Sequence, residues 1–415
     1  MERLKKIGFS KLTSLEDAIK ALNNLIKTGP NEKIEITNAL NRILAKDIES
    51  NLDIPPFERS AMDGYAVIAE DTFGASPKSP KKIKLIGKSE IGEISNSKIS
   101  KGEATKISTG AAIPKGADAV IKIEDTEIEN DKISLYTSIV PGKNVSKKGE
   151  DILKGTKVLN AGTELKSEHI ALLCALGFDK IEVKCQPKIS VFATGDELIE
   201  VGNPLEPYKI YNSNTYMISS LVKTYGGFVS RELMLKDNKE IIKNSLMESQ
   251  SDSQVIIFTG GTSVGTKDYL PEILLENGKI IVHGIAMRPG SPILIGYIDN
   301  TLVFCLPGTP VASYIGFLTV VGPTIRKIMA CINPDPRIEL FATIDRDVPV
   351  SGMGYINFLR VKLEKVKEDF KAIPVKLKGS GVLSSLTEAD GIVEIPATQE
   401  GLKKGSKIMV KLLPK

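Results

Sequence analysis

The chain of 415 residues has no tryptophan, two histidines, four cysteines and only 5% aromatic residues. With His169 and His283 alone, a histidine-rich metal site is excluded and few partners remain for a Ser-His-Asp triad or a Cys-His pair. Cys174, Cys185, Cys305 and Cys331 form no C-x-x-C pair, so neither a zinc knuckle nor a dithiol redox motif is written here, and buried reduced thiols are expected. Charge of one sign is also scarce: 55 basic against 51 acidic residues leave a net +4, too little to announce a nucleic-acid or membrane-surface partner. The opening MERLKKIGFS has no apolar run behind its basic residues, so no secretory signal is read and the cytoplasm is the expected compartment. One long uncharged stretch exists, residues 300–325. Pro307-Gly308, Pro310 and Gly316 break it into a strand, a turn and a helix rather than a membrane span. What is present, 41% hydrophobic and 26% charged residues, is an ordinary globular composition, and the length suggests two to four domains at roughly 150 residues each. Any chemistry rests on carboxylates, lysines and hydroxyls.

Along the chain, LTSLEDAIKALNNLIK reads as an opening helix with Thr13 and Glu16 spaced as a capping box. A second helical piece is expected around Asn38–Leu44, before the irregular DIPPFERSAMDGYAV. Short β-rich runs follow to about residue 150 and predict a small inserted β module. Helical signals return at LKSEHIALLCALG, so residues 150–180 read as completing what residues 1–50 began. Strand and helix then alternate as βαβ units, which predicts a parallel sheet closed by a helix starting near Pro310. The last stretch, with ELFATI, FLRVKLEKV and SKIMVKLL, predicts a second β domain.

Ligands of open α/β sheets sit beyond the carboxyl ends of the strands, and the residues there are not bland. VFA runs into Thr194-Gly195-Asp196-Glu197, SRELML into Lys236-Asp237, and IIF into Thr259-Gly260-Gly261-Thr262-Ser263 with Asp268 beyond. An acidic crest beside a glycine turn suits Mg²⁺ bridging to phosphate or another oxyanion. The glycine run can aim backbone N–H groups at an anion, yet its Gly265-Thr266-Lys267 order is not a Walker A loop. The plainer alternatives are a connecting turn for the glycines and helix caps for Asp196 and for Asp237 with Asn238. Arg288, before a Pro-Gly turn, could grip phosphate bidentately or be a surface arginine, and Pro307-Gly308-Thr309 enters a helix N-terminus, a natural anion site or an ordinary connection. Asp63 in SAMDGYA, Thr109 in STGAAIPKGADAVI and Asp151 in KKGEDI lie outside this domain, and no spacing rule singles them out.

These motifs, with ATGDEL, YNSN, FTGGTSVGTKDYL, MRPGSP, LPGTPVAS and SGVLSSLTEADGIVEIP in order over nearly the whole chain, resemble the molybdopterin molybdenumtransferases, the MoeA and gephyrin E-domain family. The resemblance implies a multidomain α/β plus all-β protein. Its parts are a split helical domain (1–52 and 150–182), an inserted β domain (53–149), a three-layer α/β molybdopterin-binding domain (183–332) and a C-terminal β-barrel (333–415). It further implies a homodimer whose site combines the α/β domain of one subunit with parts of its partner. The implied reaction cleaves adenylylated molybdopterin, releases AMP and places molybdate or tungstate on the dithiolene with Mg²⁺. The molybdopterin adenylyltransferase is the implied protein partner, and no nucleic acid or membrane is involved. Carried over as catalytic are Asp63, Glu197, Asp237 and Asp268, with Asp237 and Asp268 on the metal. Thr109, Asp151, Gly260, Gly261, Ser263, Arg288, Pro307, Gly308 and, from the barrel, Ser384 are carried over as substrate-binding. Lys147-Lys148 and Ser291 depart from the family's arginines before GED and lysine after the Pro-Gly turn, which points to an altered oxyanion preference. The rivals are a non-enzymatic scaffold and another pterin- or nucleotide-phosphate hydrolase. The intact acidic crest counts against the first, and the SAMDGYA and KKGEDI loops count against the second.

Overall fold

The computed structural model describes residues 12–93, 98–261, 269–350, 352–375 and 379–414. The chain forms two compact units, one of Met1–Lys46, Ala161–Ile170 and Asp179–Lys415, the other of Asp47–Asn160 and Ala171–Phe178. In the first unit, six strands, β1 (Lys188–Thr194), β2 (Phe228–Leu235), β3 (Val255–Thr259), β4 (Lys279–His283), β5 (Leu294–Ile298) and β6 (Thr301–Leu306), form a sheet of order β2-β1-β3-β6-β5-β4. The first four in that order are parallel. The expectation of a parallel sheet fails at one edge, where β5 runs antiparallel to both β6 and β4. Only Asp299 and Asn300 join β5 to β6, both with positive φ, and a two-residue connection of that kind makes a hairpin, not a crossover.

β3 and β6 are buried throughout, as strands covered on both faces must be. Register explains how. Val191, Ile257 and Phe304 line up on one face against Ile218, Leu221 and Val222 of α1 (Asn214–Thr224). Phe192, Phe258 and Cys305 line up on the other, against Ile242 and Leu246 of α2 (Lys239–Gln250) and Leu270, Ile273 and Leu274 of α3 (Leu270–Asn277). The result is the three-layer α/β arrangement, with Cys305 fully buried as a core thiol. The uncharged stretch is strand β6, a turn, then α4 (Pro310–Gly316), a π-helical segment over Phe317–Val321 and α5 (Gly322–Ile328). Pro323 has no N–H for the turn before it, and the wider π turn accommodates the missing bond. Among the described residues no helix is long and apolar enough to cross a membrane.

Strands β7 (Glu339–Ile344), β8 (Ile356–Val366), β9 (Asp369–Pro374), β10 (Gly391–Ile395) and β11 (Lys407–Leu412) pair as β8-β9-β7-β11-β10, and β10 returns to β8. This closes the expected C-terminal barrel around Ile344, Val361, Ala372, Val393 and Val410. In the second unit six strands order as Ala119–Lys122, Gly64–Val67, Glu103–Ile107, Lys81–Ser89, Lys132–Leu135 and Thr126–Glu129 around Tyr65, Val67, Ile121 and Ile133.

Two local expectations are corrected. The opening helix, Leu15–Asn23, is capped by Ser14, whose Oγ accepts the Asp17 N–H at 3.0 Å, one residue later than the Thr13–Glu16 box. Thr13 is occupied otherwise, its N–H donating to Gly284 O and its carbonyl accepting from Ala286 in a bridge to Ile285. The helix expected around Asn38–Leu44 is a single 3₁₀ turn, Ile36–Asn38, because Ile43 and Leu44 pair in extended form with Glu164 and Val183.

Candidate active site

The carboxyl ends of the parallel strands form a crest. Leaving β1, Gly195 is buried under the Glu197 carboxylate, whose oxygens come within 2.6–2.7 Å of where a side chain at 195 would begin. Asp196 and Asp237, from β1 and β2, are bonded reciprocally: Asp196 N–H donates to Asp237 Oδ2 at 3.4 Å and Asp237 N–H to Asp196 Oδ1 at 3.3 Å. Of the capping alternatives, the one for Asp237 with Asn238 holds at Asn238 and the one for Asp196 fails. Asn238 Oδ1 receives the Glu240 and Ile241 N–H groups at 3.0 and 3.1 Å and is itself the cap of α2, while Asp196 leads into the short strand Leu198–Ile199 and not a helix. Each carboxylate thus accepts the backbone N–H of the other, tying the ends of β1 and β2 together, and among the described residues neither caps a helix; a cation here would offset the charge gathered at this point.

Beside them β3 ends in Gly260 and Gly261, with φ of +97° and +63°. A Cβ on Gly260 would stand 2.4 Å from the Thr194 carbonyl oxygen, so only glycine lets this turn lie against β1. Its N–H donates to Leu306 O at 3.0 Å, tying β3 to β6. There Pro307 is buried and its carbonyl accepts the Ser313 hydroxyl, while the Gly308 carbonyl accepts Asn214 Nδ2 at 2.7 Å. The crest turns of β1, β3 and β6 and the start of α1 are therefore one connected surface. Among the described residues, Thr194 Oγ1 and Asn214 Oδ1 are buried beside it without a hydrogen-bond partner.

Arg288 lies at the same end of this unit, half-buried, with its guanidinium carbon 3.9 Å from the centre of the Tyr355 ring. The expected helix-terminus anion site at Thr309 is weaker than its sequence suggests: Pro310 has no N–H and the Val311 N–H donates to Ser380 O at 3.1 Å. That bond brings the segment of Ser384, exposed at the start of the one-turn helix Ser384–Thr387, towards α4. Ser263 and Asp268 lie outside the described residues, and among the described residues no three His, Cys, Asp or Glu side chains converge as metal ligands. A cleft of about 1110 Å³ lined by Arg42, Glu164, Arg326, Arg337 and Leu413 contains none of the expected residues.

In the second unit the three singled-out loops do meet one another. Asp63 Oδ1 accepts the Thr109 N–H at 2.8 Å, and Gly64 enters its strand where any Cβ would lie 1.9 Å from Ile121 O. Arg59–Ser60 pairs antiparallel with Val145–Ser146, and Gly110 N–H donates to Ser60 O at 2.8 Å. KKGEDI follows directly. Within it the Asp151 N–H donates to Ile54 O at 3.1 Å, and Glu150 accepts the Ser146 hydroxyl and the Lys147 N–H. Those two bonds, with the Arg59 charge nearby, hold the Glu150 carboxyl below its usual range. Bonds 46 residues apart in sequence, such as Asp63 to Thr109, were invisible to spacing rules; Asn214 lies within the YNSN motif but drew no role of its own, and Tyr355 was missed for want of any charge or glycine signal.

Three family models match the chain: the MoeA N-terminal region (domain I and II) over residues 13–177, a probable molybdopterin binding domain over 190–327, and the MoeA C-terminal region (domain IV) over 351–413. The chain is 35% identical over 398 residues to the molybdopterin molybdenumtransferase of Staphylococcus epidermidis, spanning 96% of this chain and 94% of that protein. It is 33% identical over 405 residues to the molybdopterin molybdenumtransferase of Bacillus subtilis, with the same shares. The solved molybdopterin biosynthesis MoeA protein of Pyrococcus horikoshii superposes with a TM-score of 0.83 at 37% identity, over 97% of this chain and 99% of that one. Fold and matches define an enzyme of molybdenum cofactor biosynthesis. The chain belongs to the MoeA family of molybdopterin molybdenumtransferases.

Proposed function

We propose that this transferase takes adenylylated molybdopterin, cleaves its pyrophosphate link to release AMP, and places molybdate or tungstate on the dithiolene with the help of Mg²⁺. The observation that carries this reading is the reciprocal pair Asp196 and Asp237, two carboxylates held at the crest without a capping role. The oxygen-only donor set there fits Mg²⁺, which takes one or two carboxylates and leaves its other positions to water and phosphate. Asp237 and Asp268 would hold it, with Glu197 beside them, and the bound ion would supply positive charge to phosphate and oxyanion oxygens.

The chain's own groups do the rest. Arg288 offers a planar fork matched to phosphate or oxyanion. The Gly260-Gly261 turn and Pro307-Gly308 let ligand approach the backbone closely. We further assign Asp63, Thr109 and Asp151 to substrate handling in a cytoplasmic homodimer, in which these loops of one protomer complete the crest of its partner, and name the molybdopterin adenylyltransferase as the supplier of substrate. AMP release from adenylylated molybdopterin, followed with and without Mg²⁺, molybdate or tungstate, tests the reading. Oxyanion- and Mg²⁺-dependent release with active cofactor formed is expected, and tight binding without release would favour the scaffold.

Ser291 gives a narrower test. Its hydroxyl donates back to Met287 O, so it presents no cation beside Arg288. Ser291→Lys is expected to raise kcat/KM for molybdate and for tungstate by about three- to tenfold, the scale of one charge interaction of ~1 kcal/mol, and any difference between the two gains measures the oxyanion preference of this position. Unchanged kcat/KM for both oxyanions would remove Ser291 from oxyanion binding.

A further inference from the structure

Arg288 is carried by the α/β part of the first unit but is shaped by the barrel. The two-residue strand Met287–Arg288 runs parallel to the start of β8, with Met287 opposite Ile356 and Arg288 opposite Asn357, and Ile356 N–H donates to Ala286 O at 3.0 Å. This pairing sets Tyr355, the residue just before β8, beneath the guanidinium, with the Arg288 carbon 3.9 Å from the ring centre. The Tyr355 carbonyl accepts the Asn357 side-chain amide at 2.9 Å, which fixes the backbone that presents the ring. Arginine is a long side chain that loses substantial rotamer freedom whenever it grips a ligand. A ring that holds it beforehand removes part of that loss from the binding step. The two contacts are compatible, because an aromatic ring takes the face of a guanidinium whereas an oxyanion is bound at its edge.

We propose that Tyr355 is a positioning residue for the transferase reaction: from the barrel it holds Arg288 in the orientation that binds the oxyanion or phosphate. The proposal rests on the reading of Arg288 as an anion ligand, and the experiment separates the two. Molybdate binding to the intact enzyme is measured by calorimetry, and kcat is measured at saturating molybdate. Arg288→Gln tests the reading alone and should raise the molybdate Kd more than about tenfold, the loss of a charge-assisted fork. Tyr355→Leu should raise the Kd about three- to tenfold, with kcat falling less than affinity, and Tyr355→Phe should recover most of that loss because the ring is kept. In the Arg288→Gln background, Tyr355→Leu should add nothing further.

An unchanged Kd in Arg288→Gln would sink the reading of Arg288 and the proposal with it. An unchanged Kd in Tyr355→Leu beside a raised one in Arg288→Gln would overturn the proposal alone. So would a Tyr355→Leu loss that persists in the double variant, which marks a general packing defect, or one that Tyr355→Phe does not repair, which marks a role of the hydroxyl and not of the ring.

Discussion

Asp237→Asn is expected to lower AMP-releasing turnover by about two to three orders of magnitude, the scale of removing one charge-stabilising group from an active site. Folding stability should be unchanged or slightly higher. Asparagine keeps an Oδ1 that can accept the Asp196 N–H, so the turn after β2 survives, and α2 keeps its own cap in Asn238. What disappears is one of two negative charges on neighbouring strand ends, each bonded to the other's backbone N–H. Removing it relieves repulsion in the protein without ligand and withdraws the negative charge that a cation would need. If Asp237 were only a turn residue, the opposite pattern would appear: normal turnover with lost stability. Measuring turnover and chemical denaturation on the same preparation distinguishes the two.

The crest was readable in the sequence because sheet physics makes strand ends conspicuous. Continuous apolar runs such as QVIIFTGG stop at glycine, and in α/β folds that is where ligands gather. Local spacing cannot say what a polar residue does once there. Of the caps read at Asp196 and at Asp237 with Asn238, only Asn238 does that work, and no helix follows Asp196. Backbone pairing also overrode propensity at Thr13 and at Ile43-Leu44, because partners more than a hundred residues away claimed those N–H and carbonyl groups. Tyr355 carried no signal at all. Its role depends on a parallel pairing between Met287–Arg288 and β8, and nothing in one sequence announces a contact between segments nearly seventy residues apart.

The glycine after β3 yields the second large effect, this time on the fold. Gly260→Ala places a methyl group 2.4 Å from the Thr194 carbonyl oxygen and 3.1 Å from its Oγ1, at a φ of +97° that alanine rarely adopts. Backbone of the neighbouring strand cannot swing aside as a side chain would, and Gly260 cannot retreat because its N–H is bonded to Leu306 O. Dihedral strain and overlap together should cost roughly 2–5 kcal/mol in chemical denaturation and spread the three crest turns, lowering turnover as well. Gly308→Ala is the informative control for stability. Its added Cβ would meet nothing nearer than the Gly260 Cα at 3.6 Å, an ordinary contact, so its cost should stay below about 1 kcal/mol. Equal losses from both glycines would mean that the crest tolerates or refuses side chains generally. A loss confined to Gly260 would show that the turn of β3 is glycine because β1 leaves it no other choice.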